Sequence, residues 1–150
     1  ARMKLPAGKG FWPAFWLLPI PVSCAPEIDI MQNLGDECST IYMSNHWSSK
    51  WPSGVGEPQD GASTLGYTGV NYCSGFHTYG VEWTSTAIDF YIDGVRRARI
   101  TDHVPVANGS FTGMHIVANL AVGGSWPGSP SASTPFPSSL EIDYIRVWRR

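Results

Sequence analysis

The sequence predicts an all-β domain, and three observations carry that reading. Sixteen Gly and twelve Pro are scattered between short apolar runs, which suits many short strands joined by turns. No long stretch repeats its apolar residues at the helical period. Several segments instead alternate apolar with polar residues, as strands do when one face is buried and the other is wet. With 43% hydrophobic residues among 150, the chain has material for one core and therefore one domain, residues 1–150.

Composition narrows the partner. A formal charge of -2 with only ten Lys and Arg leaves no basic footprint for nucleic acid or an anionic membrane, so a neutral partner is expected. Seven Trp and six Tyr exceed what a small core needs, and their faces suit the stacking of neutral sugar rings. The apolar run at residues 11–22 is too short to span a bilayer and is broken by Pro13, Pro19 and Pro21. No signal peptide is visible.

Taken in order, residues 1–6 alternate from the first position, so the chain begins inside a strand. Residues 7–10 form a turn. Residues 11–19 form a second strand with Trp12, Ala14 and Trp16 on one face, and Pro13 predicts an irregular ladder at that point. Residues 27–32 are a third strand, and 33–38, with Gly35 and Asp36, a turn. Residues 39–47 are a strand carrying Thr40, Tyr42, Ser44 and His46 on one face. Residues 48–74, rich in Ser, Gly and Pro and holding Trp51, Tyr67 and Tyr72, read as long loops with one short strand. Residues 76–83 and 87–96 pair as a hairpin closed by Thr84 to Thr86, with a second tight turn at Asp93-Gly94. Residues 114–122 alternate into the glycine-rich segment 123–128 around Trp126, and 141–148 close the chain as a strand.

The third strand, Glu-Ile-Asp-Ile-Met-Gln, concentrates the chemistry. Glu27 and Asp29 share one face while Ile28 and Ile30 enter the core. Regular pleating would set Met31 beside the acids, whereas one bulged residue there returns Gln32 to their face. Two carboxyls at the ends of such a row would stand roughly 5 to 5.5 Å apart, the separation of a retaining glycosidase. Here the second end is an amide, which cannot give a proton.

This strand resembles the bulged catalytic strand Glu-x-Asp-x-x-Glu of glycoside hydrolase family 16, differing at its last position. The run Lys-Leu-Pro-Ala-Gly-Lys-Gly-Phe-Trp-Pro-Ala-Phe-Trp-Leu-Leu-Pro, the phrases Phe-His-Thr-Tyr-x-Val-Glu-Trp and Phe-Tyr-Ile-Asp-Gly-Val, and Ser44-Asn45-His46 in place of Thr-x-His are similar to the same family in the same order. The resemblance implies an antiparallel β-sandwich of jelly-roll, concanavalin-like type that lacks its opening strands. It implies Glu27 as nucleophile, Asp29 as the assisting carboxyl and Gln32 in the seat of the general acid and base. Trp12, Trp16, Ser44, His46, Asn119 and Trp126 would bind substrate, His46 also reaching Glu27, and His77 would be scaffold.

The implied activity is retaining, endo-acting hydrolysis of β-1,3 or mixed β-1,3/1,4 glucan by a monomeric, extracellular or cell-envelope protein, impaired in this chain by Gln32. The other readings are a glucan-binding protein that does not cut, and a lectin-like sandwich without groove chemistry. No cofactor is expected. Similar enzymes use the Asp equivalent to Asp143 for a structural calcium ion, but one carboxylate does not make such a site. Cys24, Cys38 and Cys73 match no metal spacing, so at most one bridge forms. A Cys24–Cys38 bridge would brace the acidic strand, with buried, reduced thiols as the alternative.

Overall fold

The computed structural model describes residues 1–22, 24–49, 60–106 and 113–149. Among them ten strands form two antiparallel sheets and no helix occurs. The strands are β1 (Arg2–Lys4), β2 (Phe11–Ile20), β3 (Glu27–Gln32), β4 (Thr40–Trp47), β5 (Gly61–Thr68), β6 (Phe76–Trp83), β7 (Ile88–Ile92), β8 (Val95–Ile100), β9 (Gly113–Val122) and β10 (Glu141–Tyr144). One sheet runs β10-β1-β6-β7-β8 and the other β5-β4-β3-β2-β9. The all-β sandwich is as predicted.

Alternation explains the core. Phe15, Ile28, Ile30, Met31, Ile41 and Met43 point inward from the β3 sheet and meet Met3, Tyr79, Ile88, Phe90, Ile92 and Ile100 from the other. Burial pushes the Tyr79 phenol far above its ordinary range, so it stays neutral inside. β3 is the central strand of its sheet, flanked by β2 and β4, so the acids are carried by a strand paired on both sides.

Several expectations are corrected. The β2 ladder runs through Pro13 without a break, pairing Phe11 to Ile20 continuously with β9. Pro13 lends its carbonyl to the amide of Asn33 at 3.2 Å, on the side where β3 has just ended, so its missing N–H removes no ladder bond. The irregularity lies instead between Phe15 and Trp16, opposite the acidic strand. The strand expected at 141–148 ends at Tyr144, the last residue paired with β1, opposite Arg2. Between 48 and 74 the strand β5 is eight residues long, while Trp51 lies outside the described residues. Asp143, the carboxylate considered for calcium, pairs with the Arg2 guanidinium at 2.7 Å. His77 sits in the other sheet from the acids, 2.7 Å from Asp93.

The disulfide joins Cys38 to Cys73, and the exposed Cys24 is outside it. Cys24 and Cys38 flank opposite ends of a six-residue strand, about 20 Å long at the rise of extended chain. That exceeds the reach of a bridge, roughly 4.4 to 6.8 Å between Cα atoms. Cys38 and Cys73 are drawn together because the Tyr72 amide donates to the Cys38 carbonyl at 2.8 Å. Closing 35 residues of sequence separation restricts the unfolded chain by roughly 3 to 4 kcal/mol. The Cys38→Ala, Cys73→Ala double variant is expected to lose about that much stability in urea unfolding.

One glycine is required by close approach. Gly61 faces Trp47 across the β4–β5 pair, and a Cβ there would collide with the indole. The indole cannot swing away freely, because it stacks on the His103 ring at 4.1 Å with a 5° interplanar angle. Gly61→Ala is expected to cost about 1 to 3 kcal/mol by overpacking, read as a lowered thermal midpoint.

Candidate active site

The acidic strand carries a bulge. Against β2, Trp16 pairs with Asp29 and Phe15 with Met31, so Ile30 is the extra residue. Against β4, Asp29 faces Ser44 and Gln32 faces Tyr42, leaving Ile30 and Met31 together opposite Met43. The sequence placed the bulge at Met31; the β2 register moves it one residue earlier. Both residues are buried, Ile30 at 4% and Met31 at 0% exposure, so the slip costs no apolar contact with solvent. Its consequence is that Gln32 rejoins the face of Glu27.

Glu27 and Gln32 line one cavity together with Trp12, Ala14, Trp16, Asn119 and Ala121. Its volume is about 180 Å³. Ala14 and Ala121 keep the floor low, and the two indoles supply flat walls. Trp16 donates its Nε1–H to Asn119 Oδ1 at 2.8 Å, which fixes ring and amide together. The buried Nε1–H of Trp12 has no acceptor among the described residues.

At the Glu27 end, His46 Nε2 lies 2.9 Å from Asp29 Oδ2 and 3.7 Å from Glu27 Oε1. The register places His46 opposite Glu27, and the ring leans diagonally to Asp29. Asp29 has 0% exposure, so its charge is held away from water beside the imidazole. Ser44 is buried at 1%, and its hydroxyl is 3.1 Å from that of Thr64. Of the residues expected to touch substrate, Ser44 is therefore closed off from the groove, braced beneath Asp29 by strand pairing.

At the other end Trp126 does not line the cavity but packs edge-on against Trp12 at 5.3 Å and Tyr42 at 4.9 Å. The residues around it take positive φ at Gly123, Gly124 and Gly128, conformations that glycine adopts without strain. Tyr42 donates to Glu37 Oε2 at 2.8 Å. That bond, then burial and the carboxylate charge, push the phenol above its ordinary value. Tyr42 and Glu37 were not among the sequence candidates, although Tyr42 had been read onto the same β4 face as His46. Asn33 secures the turn after β3 through Nδ2–H bonds to the carbonyls of Thr40 at 2.8 Å and Glu37 at 3.1 Å.

Residues 1–146 match the family model for glycosyl hydrolases family 16. The chain is 34% identical over 147 residues to an endo-1,3-1,4-beta-glycanase of Rhizobium meliloti, covering 98% of this chain and 29% of that protein. It is 29% identical to a beta-glucanase of Rhodothermus marinus, covering 99% of this chain and 55% of that one. The solved endo-beta-1,3-glucanase of Pyrococcus furiosus superposes with a TM-score of 0.74 at 38% identity, over 93% of this chain and 56% of its own. The chain thus spans about half or less of the length of these relatives. With a family model matched over nearly its whole length, and with a jelly-roll sandwich shared with a solved relative, the chain belongs to glycosyl hydrolases family 16.

Proposed function

We propose that this groove is that of a retaining, endo-acting β-glucan hydrolase for β-1,3 or mixed β-1,3/1,4 glucan, with its proton donor replaced by Gln32. The observation that carries this reading is the bulge, which sets Glu27 and Gln32 on one cavity between two indole walls. Glu27 attacks the anomeric carbon and forms the glycosyl-enzyme. Asp29, held by His46, keeps the carboxylates of the strand in a fixed arrangement. Trp12, Trp16 and Asn119 stack on and hydrogen-bond sugar rings, and Trp126 extends the aromatic wall.

A protonated carboxyl at position 32 would protonate the departing oxygen and later draw a proton from water. The Gln32 amide gives a hydrogen bond to that oxygen but no proton, so cleavage of an unactivated glucan is slow. A second reading, a glucan-binding protein that does not cut, is favoured by Gln32 itself. Because polymeric glucan lies outside cells, an extracellular or cell-envelope location goes with either reading.

Retention is the test. In proton NMR of an activated aryl β-laminaribioside turned over by the Gln32→Glu variant, the β-anomer is expected to accumulate before mutarotation. Appearance of the α-anomer first would overturn the retaining assignment, and no turnover by that variant would favour the binder.

A further inference from the structure

Glu27, Asp29 and His46 each offer one ligand atom, and these atoms lie within 4.8 Å of one another. Two atoms bound to one ion at ordinary zinc distances, with angles between 90° and tetrahedral, stand about 2.9 to 3.5 Å apart. The separations here are 2.9 Å from His46 Nε2 to Asp29 Oδ2 and 3.7 Å from His46 Nε2 to Glu27 Oε1. The three atoms span up to 4.8 Å, so the Glu27 side chain must swing toward both partners before all three can share one ion.

A second observation points the same way. Asp29 is buried at 0% exposure, and its Oδ1 has no hydrogen-bond partner among the described residues. The bond from His46 engages only Oδ2. A desolvated carboxylate oxygen without a partner is costly, and a cation bound to that carboxylate would offset the cost. The neighbouring residues supply the rest of a site. Asp29 is clamped between Trp16 and Ser44 by its two strand partners, His46 is held by the β4 ladder, and Glu27 lines the cavity, where water would complete a coordination sphere.

We propose that Glu27, Asp29 and His46 form a binding site for a borderline transition-metal dication, Zn²⁺ or Cu²⁺, at the head of the groove. One imidazole with two carboxylates suits these ions, whereas Ca²⁺ prefers six to eight oxygens and Mg²⁺ an octahedron rich in water. The ion would sit on the side chain proposed as nucleophile. Metal and glucan would then exclude one another, which makes the ion a reversible blocker of the groove.

The test is calorimetric titration of the purified chain with zinc chloride and, separately, copper chloride, in a non-chelating buffer without sugar. One equivalent is expected to bind, Cu²⁺ more tightly than Zn²⁺, with Mg²⁺ and Ca²⁺ failing to displace either. His46→Ala and the near-isosteric Glu27→Gln are each expected to weaken Zn²⁺ binding at least tenfold, with thermal unfolding confirming that both are folded. His77→Ala, His103→Ala and Cys24→Ser are expected to leave it unchanged, since each removes a competing imidazole or thiol elsewhere. Binding that survives both groove variants, or that disappears with any of the other three, would overturn the site. Because no glucan is present, that failure is separate from failure of the hydrolase reading. A metal bound at Glu27 but indifferent to laminari-oligosaccharide would leave the metal site standing and overturn the exclusion.

Discussion

Gln32→Glu is expected to raise laminarin or lichenan hydrolysis by about 10² to 10⁴-fold, the usual contribution of a positioned general acid and base. Gln32 differs from Glu by one atom in the head group, so the exchange preserves side-chain length and the β3 bulge. Its neighbours Ala14 on β2 and Tyr42 on β4 pair with it through the backbone, which the substitution does not touch. What changes is the availability of a proton for the leaving oxygen. Reducing ends released from laminarin and lichenan by parent and variant give the ratio directly, and the preferred polymer tells β-1,3 from mixed-linkage specificity. No gain on either polymer would mean that position 32 does not face the scissile bond.

Glu27→Gln is expected to abolish the burst of phenolate from a 2,4-dinitrophenyl β-laminaribioside, taking it from about one equivalent per chain to none. Dinitrophenolate leaves without protonation, so the parent chain forms its glycosyl-enzyme despite Gln32. Release then stalls, because the amide cannot deprotonate the incoming water. The burst is read by stopped-flow absorbance, and thermal unfolding shows that the variant is folded. A burst of equal size in Glu27→Gln would remove Glu27 as the nucleophile, while its absence from both proteins would favour the pure binder.

The parts of this protein that were legible in its sequence are those fixed by a period of two. Alternation in Glu27–Gln32 separated the acids from the isoleucines, and alternation in β2 placed Trp12, Ala14 and Trp16 on the groove wall. The bulge itself was legible as a requirement, but its position was not. Ile30 and Met31 are both apolar and both buried, so hydrophobicity cannot say which is the extra residue, and only pairing with Phe15 and Trp16 does. Contacts distant in sequence were the least legible. The Cys38–Cys73 bridge depends on how the turn after β3 meets the entry to β6, which neither segment encodes alone. The same holds for Pro13, harmless because β3 has ended beside it, and for the extent of β10, whose pairing with β1 ends at Tyr144.

Side-chain direction within the site was also beyond alternation. His46 was expected to reach sugar or Glu27, yet its shorter contact is the diagonal one to Asp29. Ser44 shares the His46 face but lies between two paired strands, where its hydroxyl meets Thr64. Tyr42 lies one turn of the pleat further along, and its bond to Glu37 joins β4 to the turn that follows β3. These assignments depend on strand register and rotamer together.

The most direct measurement is mass spectrometry of the parent chain after incubation with 2,4-dinitrophenyl 2-deoxy-2-fluoro-β-laminaribioside. The activated leaving group removes the need for an acid, and the fluorine slows hydrolysis of the ester so that it accumulates. One disaccharide per chain, on the peptide that contains Glu27, is the expected result. An unlabelled protein, or a label on any other carboxylate, would contradict the claim that the bulged strand sets Glu27 to attack a sugar held opposite Gln32.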